Sequence, residues 1–447
     1  MEKIRFYITL FCARLIYLAI KLLNKSSGTS FVGMASLKLC PKFLTYAKKY
    51  VDDNNSIAIT GTNGKTTTSG MLAHIFEQAQ GKVIHNVKGA NMLTGVANVF
   101  ALKVSPFKHF DYAVIESDEA YLTKLYDFYK TDYLVVTNLF RDQLDRYGEL
   151  AATANYIKNA IDKNPDQTLI LNADDPLVMN FGNGKNAIYY GFEQVEFASD
   201  VHNADLNSPS EVYNCVKCDT PLSYSKRFMA QEGHYYCEDC SFSRPEPDYK
   251  GYAVVHNDYT DLRVEFNGQF YEFKIHLIGL YNAYNALASI ACAFEKGISY
   301  EIIRDAVLSY KTMFGRTERR NILGHDVLIQ LIKNPAGASE VLKTIDVDAN
   351  IVIAINDNYA DGRDISWLWD TDFEKLKDAK KLIITSGIRA NDMALRLKYA
   401  GIAQDRIVVE PDIQKAIELA IRPEDDTDRV TILPSYTALL KINKMKF

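Results

Sequence analysis

A chain of 447 residues, 47% of them hydrophobic, is long enough to bury several cores; its size suggests about three domains and excludes a disordered or fibrous molecule. A formal net charge of −5 supplies no basic field, so nucleic acid is not expected as a partner. Seven cysteines, four of them in two Cys-x-x-Cys pairs, do not make a secreted disulfide framework and suggest a reduced, cytoplasmic setting with a metal site.

The first predicted element is apolar: residues 6 to 23 read FYITLFCARLIYLAIKLL. Arg14 near its middle would cost roughly 2.5–3.5 kcal/mol inside a bilayer, and no small-residue cleavage site follows, which argues against a spanning helix and a signal peptide. As a helix it carries Arg14, Lys21 and Lys25 on one face, opposite an apolar one. Two readings stay open here: a helix on the inner membrane surface, or a core helix of a short N-terminal helical segment (residues 1–52). From residue 53 short β-rich runs, SIAIT, DYAVIES, DYLVVTN and TLILNADD, each end in polar residues and feed helical stretches. That rhythm predicts an α/β, doubly wound parallel sheet whose ligand binds at the strands' carboxyl ends. Residues 205–248 interrupt it as an insertion, the pattern resumes and closes a central domain near residue 317, and a smaller α/β domain is expected over 318–447.

Residues 57–68, IAITGTNGKTTT, place two glycines, a lysine and three threonines between a strand and a helix. A phosphate site there needs unhindered backbone N–H groups, a helix N-terminus, a lysine for the β/γ-phosphates and a hydroxyl for Mg²⁺, and the loop from Gly61 through Thr62, Asn63, Gly64, Lys65, Thr66 and Thr67 supplies all four. A Gly-Asn turn entering a helix would explain the glycines but not Lys65 and the threonines. In the insertion, Cys215, Cys218, Cys237 and Cys240 form C-x₂-C-x₁₈-C-x₂-C, the spacing of a closed Cys₄ zinc ribbon with a structural metal.

The short loop resembles that of the ATP-dependent Mur ligases and their folylpolyglutamate synthetase relatives, G-T-x-G-K-[TS]-T. VIESDE, TNLFRDQLDRYGE, LNADDP, GLYNAYNALASIACA and GRTERR follow in the family's order over residues 57–320. The resemblance implies an amide-forming ligase: ATP phosphorylates a carboxylate and an amine attacks the acyl phosphate. It implies that Lys65 holds the β/γ-phosphates, Thr66 and Glu116 hold Mg²⁺, Asn282 and Asn285 contact the nucleotide, and Arg316 neutralises developing phosphate charge. Lys158 lies where some members carry a carbamylated lysine, although a solvated helix lysine is the plainer reading.

The chain departs from ordinary members at Gln143, where they have histidine, and at Lys333 in IQLIKNPAG, where they have a histidine opening the third domain. The region before the loop is also too short for a uridine-nucleotide domain. With the Cys₄ insertion and the stretch NDNYADGRDISWLWDTDFE (residues 356–374), these departures resemble the branch of MurT synthetase subunits of lipid II isoglutaminyl synthases. That branch implies amidation of the D-glutamate α-carboxyl of lipid II to D-isoglutamine, in a heterodimer with a GatD-like class I glutaminase that supplies ammonia. It also implies that Asp364 completes the partner's Cys-His pair as a triad, with Asp357 and Asp361 as close competitors and an Asx-rich helix-capping loop as the default. Trp367 and Trp369 suit a core corner or an interface anchor. Cys12, Cys40 and Cys292 sit in apolar helix-like settings with no glycine elbow, so no glutaminase is evident within the chain. A stand-alone amino-acid ligase and a non-catalytic nucleotide-binding scaffold are the alternatives.

Overall fold

The computed structural model describes residues 2–22, 29–87, 90–142, 150–198, 210–312, 318–346, 348–421 and 429–445. Among them the larger sheet has nine strands: β1 (Ser56–Thr60), β2 (Val83–His85), β3 (Tyr112–Glu116), β4 (Tyr133–Val136), β5 (Thr168–Asn172), β6 (Ala187–Phe197), β9 (Tyr249–Val255), β10 (Thr260–Phe266) and β11 (Gln269–Ile275). A separate hairpin between β6 and β9 contributes β7 (Ser223–Met229) and β8 (Glu232–Tyr236). The order in the large sheet is β11-β10-β9-β6-β5-β4-β1-β3-β2. Every residue of β1 is buried, as a parallel strand covered by helices on both faces requires. Its neighbours β3 and β4 are both parallel to it, so the strand order reverses at β1 and leaves a crevice beyond its carboxyl end.

Leading into the helix Leu280–Glu295, β9 to β11 form an antiparallel meander. Its last turn is Asn267-Gly268, both at positive φ (51° and 74°), the local geometry that suits a two-residue hairpin. The N-terminal helices Glu2–Leu22 and Thr29–Leu39 are not set apart from the sheet: Phe6, Leu10, Ala13 and Val32 share one core with Ala58, Ile84 and Phe100. Of the basic residues expected to share a face of the first helix, Arg14 donates to the Val104 carbonyl at 2.7 Å, and Lys25 lies outside the described residues. The outward face carries Ile4, Ile8, Phe11, Leu15, Leu18 and Leu22, all exposed. Among the described residues no helix is long and apolar enough to cross a membrane.

The second sheet, of six strands among the described residues, comprises β12 (Glu318–Ile322), β13 (His325–Ile329), β14 (Asn350–Ala354), β15 (Ile383–Ser386), β16 (Ile407–Val409) and β17 (Arg429–Pro434) in the order β12-β13-β17-β14-β15-β16. The chain leaves β13 through residues 330–334 into the helix Pro335–Leu342, and this connection reaches the carboxyl end of β1.

Candidate functional site

Beyond β1 the backbone turns through Gly61 (φ 122°) and Gly64 (φ 84°) into the helix Lys65–Gln78. Both glycines are required by space as well as by φ: a Cβ on Gly61 would lie 2.3 Å from Thr137 Oγ1, and one on Gly64 2.0 Å from Asn285 Oδ1. The segment after β4 clamps the loop. Thr62 N donates to Asn138 O (2.9 Å), Asn63 N to Asn138 Oδ1 (2.8 Å), Thr62 Oγ1 to Phe140 O (3.0 Å) and Thr137 Oγ1 to Asn63 O (2.7 Å). The first-turn amides of the following helix, including those of Thr66 and Thr67, have no carbonyl four residues back within the helix, which makes this helix start a candidate anion site.

Lys65 is buried inside this loop. Its Nζ donates to the carbonyls of Gly61 and Thr62 and pairs with Glu119 Oε1 at 3.0 Å. Burial works against its charge, but Glu119, Asp118, Asp142 and Glu116 outweigh burial and raise its pKa. Burial also pushes the Glu119 carboxyl up, against the pull of Lys65. Glu119 was missed in the sequence, where three carboxylates in ESDE gave no sign of which one meets Lys65.

Glu116 ends β3, and its Oε2 and the Oγ1 of Thr66 are both buried without a hydrogen-bond partner. They line one cavity of about 370 Å³ with Lys65, Asp118, Glu119 and Lys333. Two unpartnered oxygens beside a phosphate loop fit a hard divalent cation.

Asn282 and Asn285 lie on the helix Leu280–Glu295, which packs against the loop helix. Asn285 Oδ1 accepts from Thr68 Oγ1 (3.3 Å), Asn285 Nδ2 donates to Asn282 Oδ1 (3.3 Å), and Asn282 Nδ2 donates to Ile278 O (2.8 Å). Both asparagines line a second, more apolar cavity shared with Gly64, Phe140, Met229, Tyr281 and Val341. The C-terminal domain closes on the same loop. Lys333 Nζ pairs with Asp142 (2.5 Å) and donates to Thr62 O (3.2 Å), while the amides of Asn334 and Asn63 exchange hydrogen bonds at 2.9 and 3.3 Å. Arg316 and Gln143 lie outside the described residues, and Lys158 is exposed on the helix Leu150–Lys163. Asp174 and Asp175 have structural partners: Asp174 accepts from Arg244 (2.6 Å) and Tyr284 (2.8 Å), and Asp175 caps the helix Pro176–Met179.

The four cysteine sulfurs lie within 4.8 Å of one another, with neighbouring contacts of 3.4–3.6 Å. Four ligands about 2.3 Å from a zinc ion define a tetrahedron with edges near 3.8 Å, so the cluster suits such a metal with little movement. By contrast Cys292 is buried in the helix Leu280–Glu295, where desolvation pushes its thiol up to about 12.

The three candidate aspartates differ in what they hold. Asp357 pairs with Arg389 at 2.6 Å, and Asp361 accepts from Thr437 N (2.7 Å) and Oγ1 (2.6 Å). Asp364 engages Ser366 N (2.8 Å) and Oγ (2.9 Å) in a local turn at the start of the helix Trp367–Asp370, and it borders a small cleft with Arg141, Lys333 and Trp367. Trp367 packs against the C-terminal core, whereas Trp369 is 52% exposed and stacks edge-on with Tyr399.

The chain is similar to known proteins over most of its length. A family model of the Mur ligase middle domain matches residues 59–293, and one of the MurT ligase C-terminal region matches residues 331–439. The chain is 34% identical to the MurT subunit of the lipid II isoglutaminyl synthase (glutamine-hydrolyzing) of Streptococcus pneumoniae, over 94% of this chain and 92% of that one. It is 35% identical to the Staphylococcus aureus subunit of the same description, over 95% of each. A pseudomurein peptide ligase type C from Methanothermus fervidus shares the fold with a TM-score of 0.69 at 24% identity, over 91% of this chain and 81% of that one.

Proposed function

The chain belongs to the MurT family of Mur-ligase-type synthetase subunits, and on that premise we propose how its residues divide the work of amidating lipid II. It is an ATP-dependent ligase of peptidoglycan synthesis, and relatives covering nearly its whole length disfavour a stand-alone amino-acid ligase. In the proposed reaction an oxygen of the D-glutamate α-carboxylate attacks the γ-phosphorus of ATP and ADP leaves. Ammonia then attacks the acyl carbon, phosphate leaves, and loss of a proton gives the D-isoglutamine amide.

The observation that carries this reading is the convergence of Lys65 with the unpartnered oxygens of Thr66 and Glu116 in one cavity. Lys65 and the loop amides would hold the β/γ-phosphates, and Asn282 and Asn285 would border the nucleoside. Thr66 and Glu116 would hold Mg²⁺, which when bound offsets phosphate charge. Arg316 would neutralise developing phosphate charge. Cys215, Cys218, Cys237 and Cys240 would hold Zn²⁺ as a closed structural site.

The relatives are named as subunits, so a partner subunit is implied. The proposed partner is a GatD-like class I glutaminase, with Asp364 orienting its catalytic histidine and Trp369 at the interface. Asp364 suits this better than Asp357 or Asp361, which hold Arg389 and Thr437. The proposed location is the cytoplasmic face of the membrane, where Ile4, Phe11, Leu18 and Leu22 would rest among lipid headgroups. Co-sedimentation with anionic vesicles should fall when Phe11 and Leu18 become serine; equal binding would remove this membrane contact.

The decisive experiment measures ATP- and Mg²⁺-dependent amidation of lipid II with ammonium or glutamine, with and without the glutaminase. Activity with ammonium alone, and with glutamine only in the complex, is expected. ATP turnover driven by a free amino acid, with no amide on lipid II, would overturn the reading.

A further inference from the structure

We infer that the tip of the β7–β8 hairpin in the cysteine insertion is part of the nucleotide pocket, with Met229 as the side chain against the base. The inference rests on the reading above that the cavity bordered by Gly64, Asn282 and Asn285 receives the nucleoside.

The cysteine pairs flank the hairpin at its open end, before β7 and after β8, so the Met229–Glu232 turn lies at the other end, roughly 20 Å away for a strand of this length. An insertion tip is ordinarily solvated. This one is buried: Met229, Ala230, Gln231 and Glu232 are all in the interior. Ala230 also holds a left-handed backbone (φ 47°), a strained conformation for a residue with a Cβ, which surrounding contacts must enforce. They do so from the sheet's carboxyl ends. Gln231 Nε2 donates to Leu139 O (2.7 Å), Asn172 Nδ2 to Glu232 Oε1 (2.9 Å), Gly233 N to Asp174 O (3.0 Å) and Tyr235 OH to Ala173 O (3.0 Å). Leu139 lies between Asn138 and Phe140, the two residues that clamp the phosphate loop.

This anchoring places Met229 in the wall of the cavity, whose apolar part also includes Phe140, Tyr281, Leu331, Ala336 and Val341, with Gly64 at the loop. A deformable, polarisable thioether suits the face of a heteroaromatic ring. The insertion thus forms one wall of the pocket from chain that is remote from the loop in sequence.

The test titrates ADP, and tripolyphosphate as a base-free competitor, into the zinc-loaded full-length chain and its M229A, M229L and K65A variants. Met229→Ala should weaken ADP binding roughly five- to tenfold, leave tripolyphosphate binding unchanged, and keep zinc content and Tm near the parent's; Met229→Leu should restore most of the affinity. Equal loss of both ligands, or ADP affinity unchanged in M229A while K65A loses it, would overturn the inference. If K65A also binds ADP normally, the nucleotide reading itself falls and the inference with it. In the unaltered chain, hydrogen exchange gives an independent check: ADP should protect residues 223–236 together with the phosphate loop, and protection of the loop alone would count against the hairpin.

Discussion

Thr66 Oγ1 and Glu116 Oε2 are buried oxygens with no partner, and each such atom costs about 1–3 kcal/mol in a protein interior. A cation bound between them would supply the missing contact, so the nucleotide-free chain carries a local instability where its ligand would act. Thr66→Val keeps the shape and removes the orphan hydroxyl. The variant should unfold at the parent's temperature or above it, while the magnesium concentration needed for half-maximal ATP turnover rises about tenfold or more. Lower Tm with unchanged magnesium dependence would make the hydroxyl structural. Lys65, Thr66 and Glu116 were legible in the sequence because the loop's chemistry is written in consecutive residues and Glu116 ends a recognisable strand. Glu119 and Asp142 were not, because their partners Lys65 and Lys333 are 54 and 191 residues away and only the closed fold brings the charges together.

Among the elements, the β7–β8 hairpin shows how spacing can reveal one end of a structure and hide the other. Four cysteines at metal spacing identified the ribbon, but nothing in MAQEG indicates that the turn is buried, since a short turn between alternating strands normally faces water. Its burial has a pH consequence. Desolvation, then the charges of Asp175, Asp174 and Glu340, raise the Glu232 pKa well above its ordinary value. The folded chain therefore retains a proton that the unfolded chain releases, and stability falls as pH rises from the unfolded carboxylate's value toward the folded one. Glu232→Gln keeps an acceptor for Asn172 and replaces the protonated oxygen with an N–H donor, without the titration. Thermal unfolding from pH 5 to pH 8 should show the variant gaining on the parent as pH rises. A constant Tm difference over that range would mean that Glu232 does not titrate in the folded chain's favour.

At the scale of the molecule, the two domains meet at the phosphate loop and at further ion pairs. The strand–helix rhythm of both halves was readable because parallel strands buried on two faces leave continuous apolar runs; the contact between the halves was not, because it rests on residues remote in sequence: Lys333 and Asn334 touching Asp142, Thr62 and Asn63, Arg141 paired with Asp370, and Arg319 with Asp258. The Lys333 amine bridges the C-terminal domain to both the phosphate loop and the clamp that follows β4. An ion pair with both side chains about three-quarters or more shielded should contribute on the order of 1 kcal/mol, enough to bias closure but not to fix it. Lys333→Met should therefore shift the nucleotide-free chain toward open forms, seen as a larger radius of gyration by X-ray scattering, and raise KM for ATP several-fold more than it lowers kcat. Lys333→Arg, which keeps the charge and reach, should restore compactness. Loss of kcat with KM unchanged, in a chain as compact as the parent, would instead place Lys333 in the chemical step, leaving the paired amides of Asn334 and Asn63 and the Arg141–Asp370 and Arg319–Asp258 ion pairs to hold the domains together.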